Sequence, residues 1–169
     1  MKLNLGCGKD IKDGWVNIDW KPYPGVDIVL DLNHGVLPYP DDSCEYIKAH
    51  DVLEHLPRWE TIATECFRVL RPGGMLDVHV PHAPNHNTFH VRQFDRSSFD
   101  GFLVGSPEFR GPNATTLEGW GVAEMVKCEI TRRPFYPYAW HLRKYLRLPF
   151  IGRRWMIRFV LRKVENGGR

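Results

Sequence analysis

The sequence lacks the features that mark stapled, secreted or membrane-spanning chains. Its four cysteines (Cys7, Cys44, Cys66, Cys128) are scattered over 169 residues, with no C-x-x-C pair and no zinc-ligand spacing. They read as reduced thiols, and a cytoplasmic protein is the expectation. No run of about 18 apolar residues exists, so no transmembrane helix is expected. The start, MKLNLGCGKD, reaches glycine and charge too early for a signal-peptide apolar region. Repeats and low-complexity tracts are missing too. Acid is scarce at one end: residues 132–169 hold 11 Lys/Arg and one acid, Glu165, against 12 Lys/Arg and 19 Asp/Glu in residues 1–131. The net charge of +3 conceals this split. It suits a C-terminal part that meets an anionic partner as well as it suits a solvated basic face.

What is present is ordinary for one globular domain over 1–169, with 43% hydrophobic and 25% charged residues. A domain of this size buries roughly 70% of its unfolded surface and needs no covalent staple. In the first half, short apolar runs alternate with turns. Lys2–Leu5 reads as a strand ending at Gly6-Cys7-Gly8, Trp15–Ile18 as a second ending at Asp19, and Val26–Leu30 as a third ending at Asp31. Glu45–Ala49 is a fourth, entered through Pro40-Asp41-Asp42-Ser43. From Trp59 to Leu70, the residues Ile62, Ala63, Cys66, Phe67, Val69 and Leu70 recur at helical spacing, and Arg71-Pro72-Gly73-Gly74 stops that helix. Met75–Val80 is a fifth strand, ending at Pro81. Strands joined by a crossover helix imply an α/β fold with a largely parallel sheet.

Ligands in such sheets sit beyond the carboxyl ends of the strands. The candidate site is therefore Gly6–Gly8, Asp19, Asp31, His50, Asp51, Pro81 and His82. Glycines permit close backbone approach, Asp19 suits two ribose hydroxyls, and Asp31 or its backbone suits a base amine. Together these favour a nucleoside-like ligand. A dinucleotide fits poorly. Its fingerprint wants a third glycine where Ile11 stands, and only 11 residues separate Gly8 from Asp19, too few for a helix and a strand. Adenosylmethionine has no phosphate and needs neither.

LNLGCGKDIKDGWVNIDW resembles the first motif and second strand of class I S-adenosylmethionine-dependent methyltransferases, particularly the small type 11-like group. VDIVLDL, PYPDDSCEYIKAHDVLEHL and ECFRVLRPGGMLDVHVPH are similar to the family's next blocks, in order. The match covers about residues 2–82. It implies a Rossmann-like, mostly parallel seven-stranded sheet with a reversed last strand, and helices reduced around the second strand. By the same resemblance, Gly6, Cys7 and Gly8 pass beside the methionyl part. Asp19, with Trp20 next to it, meets the ribose, and Asp31 and Leu32 flank adenine. His50 and Asp51 approach the methyl group. Asn4 stands where the family often carries an acid near the cofactor's amino group.

Methyl transfer to an oxygen or protonated nitrogen gains from a general base. His79, His82, His86 and His90 lie within twelve residues, in a stretch that Pro81, Pro84 and Asn85–Thr88 make a loop. His82 is the first candidate base; His79, alternating with Val78 and Val80, reads equally as a strand residue. Asp51-Val-Leu-Glu54-His55 places three groups on one face if helical. It looks like the E-x-x-E-H magnesium site of ubiquinone-pathway O-methyltransferases and small-RNA ribose methyltransferases, with Asp51 for the first Glu. V-L-E-H also occurs in the family without metal, and no metal is assigned here. Asp51 and His55 stay candidates for catalysis beside His82.

Further on, Asp95 reads as the N-cap of a helix through Phe99, Phe102 and Leu103, and Met125–Thr131 and Ile157–Val164 as the last two strands. Residues 132–157 form a basic, aromatic-rich segment. It suits stacked bases and phosphates, an anionic membrane surface, or simple core packing with solvated arginines. The expected activity is methyl transfer from S-adenosylmethionine to a small-molecule or glycan-like O- or N-acceptor. The alternatives are a nucleic-acid methyltransferase that clamps through the basic segment and a non-catalytic adenosylmethionine-binding protein.

Overall fold

The computed structural model describes residues 1–84, 87, 89–104, 122–134 and 153–165, with backbone alone at 133, 134, 153 and 154. Alternating side chains build its sheet. The strands are β1 (Lys2–Leu5), β2 (Val16–Asp19), β3 (Ile28–Val29), β4 (Cys44–His50), β5 (Leu70–Pro81), β6 (Ala123–Pro134) and β7 (Arg153–Lys163). They lie in the order β3-β2-β1-β4-β5-β7-β6. The first five are mutually parallel, and β7 runs antiparallel to both β5 and β6. The reversed strand expected from the sequence is thus the last in the chain but not the last in the sheet.

Successive strand residues point to opposite faces, and the two faces differ sharply. Leu3, Leu5, Ile18, Ile47, Ala49, Leu76, Val78, Val80, Ile157, Phe159 and Leu161 point one way into a single apolar core. The helix α1 (Trp59–Val69) covers this face with Trp59, Ile62, Ala63, Cys66 and Phe67. It stops at Val69, and Leu70 takes extended backbone (ψ 134) and opens β5. Among the described residues α1 is the only α-helix.

The expected helix after Asp95 is not formed. Asp95 does cap the chain there, accepting the Ser97 N–H at 2.9 Å, but the only helical turn is a 3-10 turn at Asp100–Phe102. Tertiary packing overrides the weak periodicity. Phe94, Phe99 and Phe102 all turn inward around Trp59, with ring centroids 4.9–6.0 Å from it, and Gly101 disfavours a continuous helix.

Parallel strands normally need a crossover of a dozen or more residues, yet β1 pairs directly with β2 after only residues 6–15. Polar side chains stand in for the missing helix. Asn4, fully buried, donates through Nδ2 to the Asp10 carbonyl (2.7 Å) and to Asn17 Oδ1 (3.0 Å). Asn17 in turn accepts the Lys12 N–H (2.9 Å), and Lys48 Nζ donates to Asn4 Oδ1 (3.1 Å) and Asp10 Oδ2 (2.8 Å). Hydrogen bonds to Lys12, then to Lys48, hold the Asp10 carboxyl down at about 2. The loop is thereby tied flat against the polar face of the sheet. Asn4 spends its amide on this tie, a structural role the family resemblance did not indicate.

Residues 135–152 lie outside the described residues, so the basic segment 132–157 is seen only at its strand flanks. His86 and most of the Asn85–Thr88 loop lie outside them too. Among the described residues no helix is long and apolar enough to cross a membrane.

Candidate active site

The carboxyl ends of β1, β2 and β4 share one rim of the sheet, and the chain turns there through left-handed backbone. Gly6 (φ 59) and Gly8 (φ 52) lead it out of β1, and Asp51 (φ 54) leads it out of β4. A Cβ at Gly6 would sit 2.5 Å from Val52 Cγ2, so the two turns abut and only glycine fits the crossing. A Cβ at Gly8 would meet nothing within 4 Å. There the demand is for the backbone angle, and the space beside it leaves the main chain open to a ligand.

Asp19 ends β2 and is 5% exposed. Its Oδ2 accepts the Gly8 N–H at 2.8 Å and its Oδ1 the Lys21 N–H at 3.0 Å. Two backbone donors fix the carboxylate, and each oxygen keeps a lone pair for a further donor. Neighbouring Trp20 is 65% exposed, with the Lys21 ammonium 4.4 Å from its ring centroid. Asp31 is exposed and caps the 3-10 turn Leu32–His34 by accepting the Asn33 N–H at 2.9 Å, while Leu32 is buried. An anchored carboxylate and an exposed indole are groups that could hold a nucleoside, and the open glycine main chain beside them could border an attached chain.

Cys7 plays a different part. Its N–H donates to the Ile18 carbonyl at 3.0 Å and its carbonyl accepts the Asp10 N–H at 2.8 Å. Its side chain is buried, and burial, then the charge of Asp19, pushes the thiol pKa up. Cys7 shapes the turn while Gly6 and Gly8 present it.

His50 and Asp51 sit together at the end of β4. The Asp51 N–H donates to the His79 carbonyl at 2.7 Å, and the rings of His50 and His79 meet edge to face at 5.4 Å. Below them lies a group that the spacing arguments missed. Asp77, buried on β5, accepts both Arg158 Nε (2.9 Å) and Nη2 (2.7 Å), and the Tyr46 hydroxyl (2.9 Å). His50 Nε2 is 3.3 Å from its Oδ1. Burial alone would raise the Asp77 carboxyl, but Arg158, His50 and Tyr46 together hold it well below the ordinary range. Burial, then the Asp77 bond, pushes Tyr46 up to about 12. The only hint in the sequence is a pair of polar residues, Asp77 and His79, alternating with the core residues Leu76, Val78 and Val80.

His82 follows β5 and is partly exposed. Its N–H donates to the Trp155 carbonyl at 2.9 Å, and it bridges Phe94, the residue before Asp95. The Asp95 carboxyl is held low chiefly by Ser97, with the charge of His82 contributing. Asp51, Glu54 and His55 do not share a helical face. Only Leu53–His55 form a 3-10 turn, Asp51 lies outside it, and Glu54 and His55 gather with His90 instead. His55 is exposed, and its Nδ1 lies 3.0 Å from the Phe89 carbonyl.

Comparison with known proteins agrees with this fold. Residues 6–78 match the methyltransferase domain family. A probable S-adenosylmethionine-dependent methyltransferase of Mycolicibacterium smegmatis is 33% identical over 73% of this chain and 57% of its own length. A protein of the same description from Mycobacterium tuberculosis is 28% identical over 65% of this chain and 46% of its own. The chain thus spans about half the length of the curated relatives it matches. A putative methyltransferase of Bacillus halodurans superposes on 97% of this chain with a TM-score of 0.62 at 14% identity, covering 92% of that protein. The Burkholderia thailandensis 1,6-didemethyltoxoflavin-N1-methyltransferase, solved with S-adenosylhomocysteine, covers 97% of this chain with 71% of its own and a TM-score of 0.58 at 14% identity. With a match to the methyltransferase domain family over residues 6–78 and a seven-stranded sheet shared with solved methyltransferases, this chain is similar to class I S-adenosylmethionine-dependent methyltransferases in sequence motif and in fold.

Proposed function

We propose that the protein transfers the methyl group of S-adenosylmethionine to an oxygen or nitrogen of a small-molecule or glycan-like acceptor. The observation that carries this is the joined rim: the glycine turn after β1 is hydrogen-bonded to the acid that ends β2 and packed on the turn that ends β4. Bound adenosylmethionine supplies an already activated methyl, which leaves alignment and water exclusion to the protein. In this reading the Gly6 and Gly8 main chain lies along the methionyl part, and Cys7 holds their turn. Asp19 accepts the ribose hydroxyls, Trp20, Asp31 and Leu32 border adenine, and His50 and Asp51 border the transferred methyl. An acceptor lone pair forms the new bond to carbon, the carbon–sulfur pair returns to sulfur, and the acceptor's proton passes to a base. His82 is the first choice for that base, with Asp51 and His55 the others. Free thiols at Cys7, Cys44, Cys66 and Cys128 fit a reducing, cytoplasmic setting.

Calorimetry with adenosylmethionine and its demethylated product tests the premise. Wild type is expected to bind both, and Asp19→Ala to bind roughly 10- to 100-fold more weakly, the worth of two hydrogen bonds. Failure of wild type to bind either sinks the reading. Cofactor binding without turnover across a broad acceptor panel favours the non-catalytic alternative.

One observation supports a nucleic-acid acceptor as a second reading. Exposed Arg132 on β6 lies over the ring of half-exposed Trp155 on β7, 4.0 Å from its centroid, a cation-aromatic pair of the kind that stacks on bases. This reading requires RNA or DNA binding that weakens steeply with salt. Salt-insensitive or absent binding removes it.

A further inference from the structure

Glu54 and His55 belong to the 3-10 turn after β4, and His90 comes from a loop 35 residues later. Each offers a ligand atom, and the three atoms lie within 4.8 Å of one another. Points so spaced all lie within about 2.8 Å of a common centre (4.8 Å divided by √3), so sub-ångström shifts reach the zinc–ligand distances of about 2.0–2.2 Å. The two imidazoles meet edge to face with centroids 4.9 Å apart and planes at 85°.

The main chain already holds the two segments together. The N–H groups of Val91 and Arg92 both donate to the Glu54 carbonyl, at 2.9 and 3.2 Å, and the Arg92 guanidinium donates to the Pro57 carbonyl. A carbonyl oxygen can only accept, so the contact between His55 Nδ1 and Phe89 O places the proton on Nδ1 and leaves Nε2 as the ligating atom. Such a hydrogen bond behind a metal-binding imidazole fixes its tautomer and orientation. Asn87 Nδ2 lies 2.9 Å from His90 Nε2 and can only donate to it, so His90 would release this bond on binding a cation through Nε2. Glu54 is 1% exposed and His55 is exposed, so the group runs from a buried carboxylate to solvent.

We propose that Glu54, His55 and His90 form a binding site for a divalent transition-metal cation. Two neutral imidazoles and one carboxylate suit Zn2+ and its first-row neighbours; a site for Mg2+ would be built from oxygens. The site differs from the arrangement that spacing suggests, because Asp51 is not part of it. The cation would tie His90 to the turn that follows β4, its remaining positions filled by water on the His55 side. This inference does not rest on methyl transfer, and its test does not read activity.

The test titrates ZnCl2 into the full chain, freed of metal by a chelator, with bound zinc counted by atomic emission. Wild type is expected to take one zinc per chain, displaced by an equal concentration of Cu2+ but not of Mg2+. His55→Ala and His90→Ala, both outside the core, should each weaken binding by at least tenfold while keeping the wild-type far-ultraviolet dichroism. His34→Ala, an exposed histidine on another turn, should bind as wild type does. No zinc binding by wild type, unchanged affinity in His90→Ala, or preference for Mg2+ would each overturn the assignment.

Discussion

The two faces of the sheet are held by different physics. On one, α1 and a cluster of aromatic rings bury Leu, Ile, Val and Phe side chains with scarcely a polar atom among them. On the other, the same strands present Asn4, Asn17, Tyr46, Lys48, His50, Asp77, His79 and Arg158, tied to each other and to helix-free connections. Apolar burial is non-directional and tolerates a change of partner. Buried polar groups are worth little in net terms when paired and cost much when a partner is lost. One face therefore supplies the stability, and the other gives its short connections one defined arrangement, which places the Gly6–Gly8 turn against Asp19.

The largest test of this contrast is Phe99→Ala. Phe99 is fully buried and stacks with Trp59, Phe94, Phe102 and Phe159, so its truncation should cost about 3–5 kcal/mol in urea unfolding. A loss under 1 kcal/mol would show that the aromatic cluster does not anchor the core.

Arg158→Met comes next. It strips the bidentate partner from buried Asp77 and should cost about 2–3 kcal/mol, less than for a wholly isolated charge because Tyr46 remains. The pH dependence gives the sign. Asp77 titrates lower folded than unfolded, so its contribution is present above the unfolded value of about 3.9 and fades as pH falls through the folded one. In the variant, with burial no longer opposed by the guanidinium, this acid-side loss should shrink. An undiminished loss would remove Arg158 as its cause.

The smallest expected effect is the sharpest. Asn4→Asp restores the acid common in the family but removes the donor that serves the Asp10 carbonyl and Asn17. We expect a stability loss of about 1–2 kcal/mol and weaker adenosylmethionine binding, measured by melting and calorimetry. Tighter cofactor binding with unchanged stability would show that Asn4 faces the ligand.

Much of this was legible in the residue order. β1, β2, β4 and α1 follow from period-2 and helical apolar spacing, and Gly6, Gly8, Asp19, Asp31, His50 and Asp51 fall at strand ends because a parallel sheet puts such residues there. What was not legible was long-range. Asp95 looks like a helix cap, but three phenylalanines find better burial around Trp59 than a helix would give them. Asp51, Glu54 and His55 have the spacing of one helical face, but positive φ at Asp51 and a single 3-10 turn break it. Cys7 sits between two glycines of left-handed backbone, yet its own side chain is buried.

The sequence by itself determined the class of fold and the rim proposed for the ligand, since both depend on local periodicity and on which residue ends each strand. Only the tertiary structure decided which side chains meet. Asn4 with Asn17, Asp77 with Arg158, and Glu54 and His55 with His90 are pairings across 13, 81 and at least 35 residues. They are set by strand register and loop docking, which no local spacing encodes.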